Sequence, residues 1–283
     1  MRIRGFILAV GLTLALCAQD LKQAEDLYQH TDYEGALRLL RQVKSPDAAT
    51  YALVGRSEFM EGNFHKATDA LEKAVALEPR NSDYVLWLGR TWGRRAETAS
   101  PFLAPFNAAR ARDCFQQAVA LDPSNKDALN DLFDYYLNAP GFLGGGYDKA
   151  LATAFQLERL DPSDGHAALA ELARKRESYG EAEAQLRSAI RIAPRAIGRV
   201  VELAGLLARQ GRIQESDEIL NEADRMAPGD PRLLYARARI YVETNRNPEQ
   251  ARELLRKYLQ SDLTPDDPPR KDAEKLLKRV QGA

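Results

Sequence analysis

"AVALEP" at residues 74–79 and "AVALDP" at 118–123 are one phrase written twice. "ERLDP" at 158–162, "AIRIAP" at 189–194 and "ADRMAP" at 223–228 repeat its pattern, an apolar stretch at helical spacing closed by a proline. The prolines are Pro79, Pro123, Pro162, Pro194 and Pro228, spaced by 44, 39, 32 and 34 residues. A unit near 34 residues with two enlarged copies is the signature of a repeat architecture.

Each copy reads as two helices. Twelve residues before each proline stands a small residue: Ala67, Ala111, Ala150, Ala182 and Ser216. From it, apolar side chains recur at helical spacing, as in Ala67, Leu71, Ala74 and Leu77, until the proline ends the helix. Asn81, Asn125, Asp164 and Asp230 then stand where a cap for the next helix belongs, with Pro231 suited to a first turn. The earlier helix of a copy pairs large with small residues, as in Val54–Gly55 and Leu88–Gly89, near the aromatics Tyr51 and Trp92. Small residues let facing helices approach, and large ones fill the space between neighbouring pairs.

This pattern resembles the tetratricopeptide repeat, with its Trp-Leu-Gly-Tyr first helix, Ala-Phe-Ala second helix and closing proline. The resemblance implies an all-α fold, a right-handed α-solenoid of about seven stacked helix-turn-helix repeats over residues 19–265. A cap helix over 266–283 follows, with Ala273, Leu276, Leu277 and Val280 in one apolar stripe. The copy around Tyr33, Ala36 and Leu40 is degenerate and short of a full leading helix. That around Tyr235, Tyr241, Ala251 and Leu255 has one extra residue in its turn.

The two enlarged copies carry insertions. Five extra residues fall near 139–147, in "APGFLGGGYDKA" (139–150). A phosphate-binding loop needs a strand before it and Gly-Lys-Ser/Thr at its end; here a helix precedes and Tyr147-Asp148-Lys149 follows, so the glycines read as a lengthened turn. Ten extra residues fall near 93–110, in "GRRAETASPFLAPFNAARAR" (93–112). Either Phe102 and Phe106 pack back over the array, with the arginines solvated or paired to Glu97 and Asp113, or the insertion is a recognition site. Arginine and tryptophan are enriched where binding energy concentrates.

The 283-residue chain has a formal net charge of −1, which gives no basic bias toward nucleic acid. "MRIRGFILAVGLTLALCA" (1–18) has the layout of a secretory signal peptide, with Arg2 and Arg4 before an apolar run and small residues after it. Cleavage near Ala18 and export to the periplasm or medium are expected. Losing the two arginines would take the charge from −1 to −3. "LALC" (14–17) is similar to a bacterial lipoprotein signal, except that Leu16 replaces the expected small residue. Lipidation at Cys17 is the one route to a membrane in this reading. The second cysteine, Cys114, then has no disulfide partner and reads as a buried thiol.

No histidine-rich metal motif, nucleophile elbow or cysteine pair occurs, so neither catalysis nor a cofactor or metal is expected. In tetratricopeptide arrays the first helices line the concave face. Carried over, that puts Arg56, Phe59, Trp87, Arg90, Arg94, Asn130, Asp131, Asp134, Arg174, Glu202, Arg209, Tyr235 and Arg239 there. Trp87, Arg90, Arg94, Asn130, Asp131, Asp134, Tyr235 and Arg239 are the expected partner-binding set. The alternating charge along this face suits an extended protein or peptide better than a polyanion. The expected function is an exported, non-enzymatic scaffold. The alternative is a periplasmic ligand-binding solenoid, similar to the tetratricopeptide components of substrate-binding transport systems, with the insertions walling off a pocket.

Overall fold

The computed structural model describes residues 20–281. The expected signal segment, its cleavage point and Cys17 lie outside the described residues. Those residues form fifteen α-helices and no strand. They are α1 (20–29), α2 (Tyr33–Leu40), α3 (Ala48–Met60), α4 (Phe64–Leu77), α5 (Ser82–Thr98), α6 (Ala104–Leu121), α7 (Lys126–Asn138), α8 (Tyr147–Leu160), α9 (Pro162–Lys175), α10 (Tyr179–Ile192), α11 (Ile197–Arg209), α12 (Ile213–Met226), α13 (Pro231–Glu243), α14 (Pro248–Gln260) and α15 (Arg270–Gln281). This is the order of seven helical hairpins and a terminal helix, an all-α solenoid fold. The chain divides after Gly145 into two compact units, so α7 closes the first and α8 opens the second.

The caps follow from short polar side chains that satisfy orphan backbone N–H groups. Asp47, Asn81, Asn125 and Asp230 accept from the first turns of α3, α5, α7 and α13. Asp164 is not a cap. Asp161 ends α8 and caps α9, accepting from Ser163 N and Asp164 N, and Pro162 starts α9 where its missing N–H costs nothing. Pro162 therefore opens a helix, whereas Pro79, Pro123 and Pro194 follow helix ends.

The small residues lie at the points of closest packing. Ala67, Ala150 and Ser216 are fully buried, and Ala111 and Ala182 nearly so. Ser216 stands in an alanine position at no polar cost, because its hydroxyl donates to Ala204 O at 2.9 Å. A Cβ on Gly55 would come within 2.5 Å of Leu71, and one on Gly89 within 2.7 Å of Phe115. Leu77 departs from expectation: it is 56% exposed, because the helix stripe has rotated off the core by its last turn. In the first copy, the described part of α1 supplies Ala24 and Tyr28 to a cluster with Ala36, Leu40 and Leu53, so a leading helix is present. At the far end, Ala273 and Val280 of α15 are buried against α13 and α14, with Leu276 and Leu277 half-buried beside them.

Both insertions have a defined form. Residues 93–112 are mostly helix: α5 has 17 residues and α6 has 18, against 13 in α3 and 14 in α4. The insertion lengthens the hairpin by about one turn per helix, roughly 6 Å, and leaves only residues 99–103 as its turn. Residues 139–146 are a turn, as expected, with a single 3₁₀ turn at Gly141–Leu143. Gly144 takes φ 90°, and Gly145 is needed for a different reason, since a Cβ there would sit 1.9 Å from Ala139 O.

Candidate functional site

Trp87 lies on the first helix of its hairpin, half-buried, in a ladder of rings and guanidinium groups. The Arg90 guanidinium is 4.9 Å from its ring centroid and that of Arg56 is 5.3 Å away. Phe59 meets it edge-on at 5.5 Å, and Phe64 meets Phe59 in the same way at 5.6 Å. Arg94 ends the ladder over Phe64 at 5.4 Å and pairs with Glu97. Helical spacing puts residues 87, 90 and 94 on one face of α5, and the 34-residue repeat brings the equivalent face of α3 beside it.

Arg90 reaches the next first helix, α7. Its Nε donates to Asp131 at 2.5 Å, and an Nη lies 3.3 Å from Asp127. Burial works against the Arg90 charge, but Asp131 and Asp127 outweigh it and hold the guanidinium above its ordinary value. Burial also dominates at Asp131, whose carboxyl stays above the usual carboxylate range although Arg90 pulls it down. Arg90 and Asp131 therefore hold each other. Asn130 is half-buried on α7, and Asp134 is exposed one turn beyond Asp131.

Tyr235 and Arg239 belong to the second unit and serve different ends. Tyr235 packs on Tyr258 with ring centroids 5.3 Å apart, in the cluster that receives α15. Arg239 faces a cavity of about 230 Å³ built by α9, α10, α11 and α13. Glu171, Arg174, Glu202 and Arg209 share its wall, so four of the expected first-helix residues converge on one cavity: Arg174, Glu202, Arg209 and Arg239. Arg209 folds back over Gly205, its guanidinium nitrogens within ordinary contact distance of where a Cβ would stand. Burial holds the Glu202 carboxyl above its ordinary value, opposed by Arg199, which bonds Glu202 at 2.8 Å and Asp164 at 2.9 Å. The Arg239 Nε is buried without a hydrogen-bond partner, 3.7 Å from Glu243.

The remaining reactive groups are quiet ones. Cys114 packs among Trp92, Phe115 and their neighbours, and burial pushes its thiol up to about 11. His166 bonds Gln185 at 2.6 Å, and among the described residues no cluster of His, Cys, Asp or Glu is arranged to hold a metal.

Residues 173–240, which include three walls of that cavity, match the tetratricopeptide repeat family. Over those residues the chain carries the tetratricopeptide repeat pattern. A thermophilic tetratricopeptide protein of Thermus thermophilus superposes with a TM-score of 0.57 at 22% identity, covering 68% of this chain and 98% of its own. A tetratricopeptide repeat protein from Parabacteroides merdae superposes with a TM-score of 0.57 at 15% identity, covering 94% of this chain and 98% of its own. At these identities the likeness is one of fold. No curated protein matches the sequence. Tetratricopeptide proteins generally bind other proteins without catalysing a reaction, and the first-helix faces described above are where this chain offers charged and aromatic groups.

Proposed function

We propose that the protein is an exported, non-enzymatic scaffold that holds an extended protein or peptide segment against the first helices of its repeats. The observation that carries the reading is the cavity between α9, α11 and α13. At about 230 Å³ it takes one or two side chains, and it is smaller than the roughly 300–1,000 Å³ typical of small-molecule sites. Its wall mixes Glu171 and Glu202 with Arg174, Arg209 and Arg239, which suits a segment bearing both charges rather than a polyanion. In the first unit Trp87 offers a half-buried platform, with Asn130 and Asp134 on the next first helix. Arg90 and Asp131 position that platform by holding each other. The ligand-enclosing alternative needs the insertions to wall off a pocket, but Phe102 and Phe142 stand 93% and 82% exposed. Export rests on the layout of residues 1–18.

The test is capture of partners from the exported fraction of the native host with the full chain, then Arg239→Glu and Trp87→Ala with melting curves alongside. Each variant should lose at least about thirtyfold in affinity, near 2 kcal/mol, at an unchanged melting temperature for Arg239→Glu. Full binding by both folded variants would sink the assignment. Sequencing of the mature chain should begin near Ala18 or Gln19; a modified Cys17 at the start would mean a lipid tether instead.

A further inference from the structure

We propose that the free end of the α5–α6 hairpin is a wedge that docks onto an anionic lipid surface. This concerns the edge of the repeats and is independent of what the first-helix faces bind. The lengthened helices carry Phe102, Leu103 and Phe106 past the neighbouring hairpin ends, where they are 93%, 59% and 54% exposed. Helices α5 and α7 are both first helices, so within this unit their ends and the turns after them lie on the same edge. Arg112, two turns down α6 from that tip, donates to Leu143 O at 3.1 Å and so anchors the turn after α7 lower on the same edge, beside Phe142, itself 82% exposed. Large apolar side chains exposed together at one hairpin end, as Phe102, Leu103 and Phe106 are, mark an interaction surface.

The charge behind the apolar tip is positive. Residues 93–112 hold four arginines and one glutamate. Arg94 pairs with Glu97, and Arg112 pairs with Asp113 just past the segment, which leaves Arg95 and Arg110. Arg110, one turn below Phe106, lies over the Phe106 and Trp92 rings at 5.3 and 5.9 Å, and Arg95 lies over Trp92 at 4.2 Å. Neither meets a carboxylate. Arg95 is held inward, donating to Thr68 with its Nε buried, so the exposed Arg110 guanidinium stands one turn behind the phenyl groups, and the two match the phosphate layer and the acyl boundary of a bilayer. Among the described residues no helix is long and apolar enough to cross a membrane, so the contact is peripheral.

The test places an environment-sensitive fluorophore at the tip of the full chain. Phe102→Cys is made with Cys17→Ser; Cys114 stays unlabelled because its packed thiol titrates only near about 11. Asp69→Cys, exposed on α4, is the control position. With phosphatidylglycerol–phosphatidylethanolamine vesicles the Phe102 label should shift to the blue and become quenchable by brominated acyl chains, while the Asp69 label stays in water. Phosphatidylcholine vesicles should give little shift, and Arg110→Glu should weaken the phosphatidylglycerol response on the order of tenfold. The local label matters because the apolar run at residues 6–16 can bring any variant to a vesicle. A chain that binds vesicles with its Phe102 label still in water overturns the proposal. So does a chain that binds neither kind of vesicle, or that inserts equally into both.

Discussion

The two units use the same device to lock one hairpin to the next, with different chemistry. After four of the five buried small residues, all but Ala150, which Leu151 follows, the next residue reaches into or receives from the following hairpin's turn region. In the second unit these are carboxylates: Glu183 receives Arg212, and Asp217 receives Arg246 at 3.0 Å. In the first unit they are neutral or reversed: Thr68 receives Arg95 at 3.0 Å, and Arg112 donates forward to Leu143 O at 3.1 Å. The second unit keeps a 29-residue spacing between partners, whereas the first unit's spacings are 27 and 31. Insertions moved the turns of the first unit, and its locks moved with them. Repeat packing thus tolerates a longer hairpin, provided some polar group still closes the joint.

The largest expected effect separates close approach to backbone from close approach to a side chain. In the second unit a Cβ on Gly165 would meet Glu158 Cα at 2.4 Å and its N at 2.8 Å, where α8 and α9 share Asp161 as a cap. Backbone cannot yield there. Gly165→Ala should therefore destabilise by about 3 kcal/mol. In the first unit, a Cβ on Gly89 would meet side-chain rather than backbone atoms, the Phe115 ring at 2.7 Å and Cys114 Cβ at 3.0 Å, and alanine in mid-helix returns about 1 kcal/mol of propensity. Gly89→Ala should cost about 1 kcal/mol or less. Denaturant melts of the two variants check the order, and a larger loss at Gly89 would reverse the account of where the packing is rigid.

That contrast also marks what could be read in the sequence. Prolines, small residues and large-small pairs follow local rules of helix ending and close packing, so hairpin positions were legible down to the extra turn residue at 244–247. The form of the first insertion was less so. "PFLAPF" read as an apolar segment whose phenylalanines either pack back over the array or serve recognition, and its helical form was not foreseen: Pro105 fits the first turn of α6, and the alanines around it favour helix. The meeting of Arg90 with the acidic face of α7 was legible from the repeat. What the two do there was not, because pairing with each other or with a partner depends on side-chain reach across an enlarged unit. The cavity at Arg239 joins residues from three hairpins and is visible only once they are stacked.

The glycine-rich turn gives the intermediate effect. Gly144 takes φ 90°, a left-handed conformation that costs other residues about 1 kcal/mol, and the Arg112 side chain lies 3.1 Å from where a Cβ would go. Gly144→Ala should therefore lower stability by about 1 kcal/mol and speed proteolysis within 139–146. Gly141→Ala, with open space around it, should change neither. Equal effects at both positions would mean the turn follows its length rather than a required backbone conformation.

The smallest effect sharpens the comparison of locks by changing pH. Hydrogen bonds from Arg212 hold the Glu183 carboxyl below its ordinary value, against a smaller opposing push from burial and with help from Arg187. A depressed carboxylate contributes stability that is fully present above its unfolded value and is lost as pH falls through the folded one, since the unfolded chain binds the proton first. Asp131 in the first unit has the opposite sign. Burial raises it, so the folded chain binds the proton first, and acidification relieves a cost that ionisation imposes. Thr68 and the Leu143 carbonyl do not titrate at all. Amide exchange followed between pH 6 and pH 3, corrected for intrinsic rates, should show protection falling first in α10–α12 while α4–α6 hold. Glu183→Gln keeps an acceptor for Arg212 but has no proton to gain, so it should lower protection of α10–α12 at pH 6 and flatten the acid response. Parallel losses in both units, unaltered by Glu183→Gln, would show that the charged and neutral locks are interchangeable and that the difference between the units lies in helix length alone.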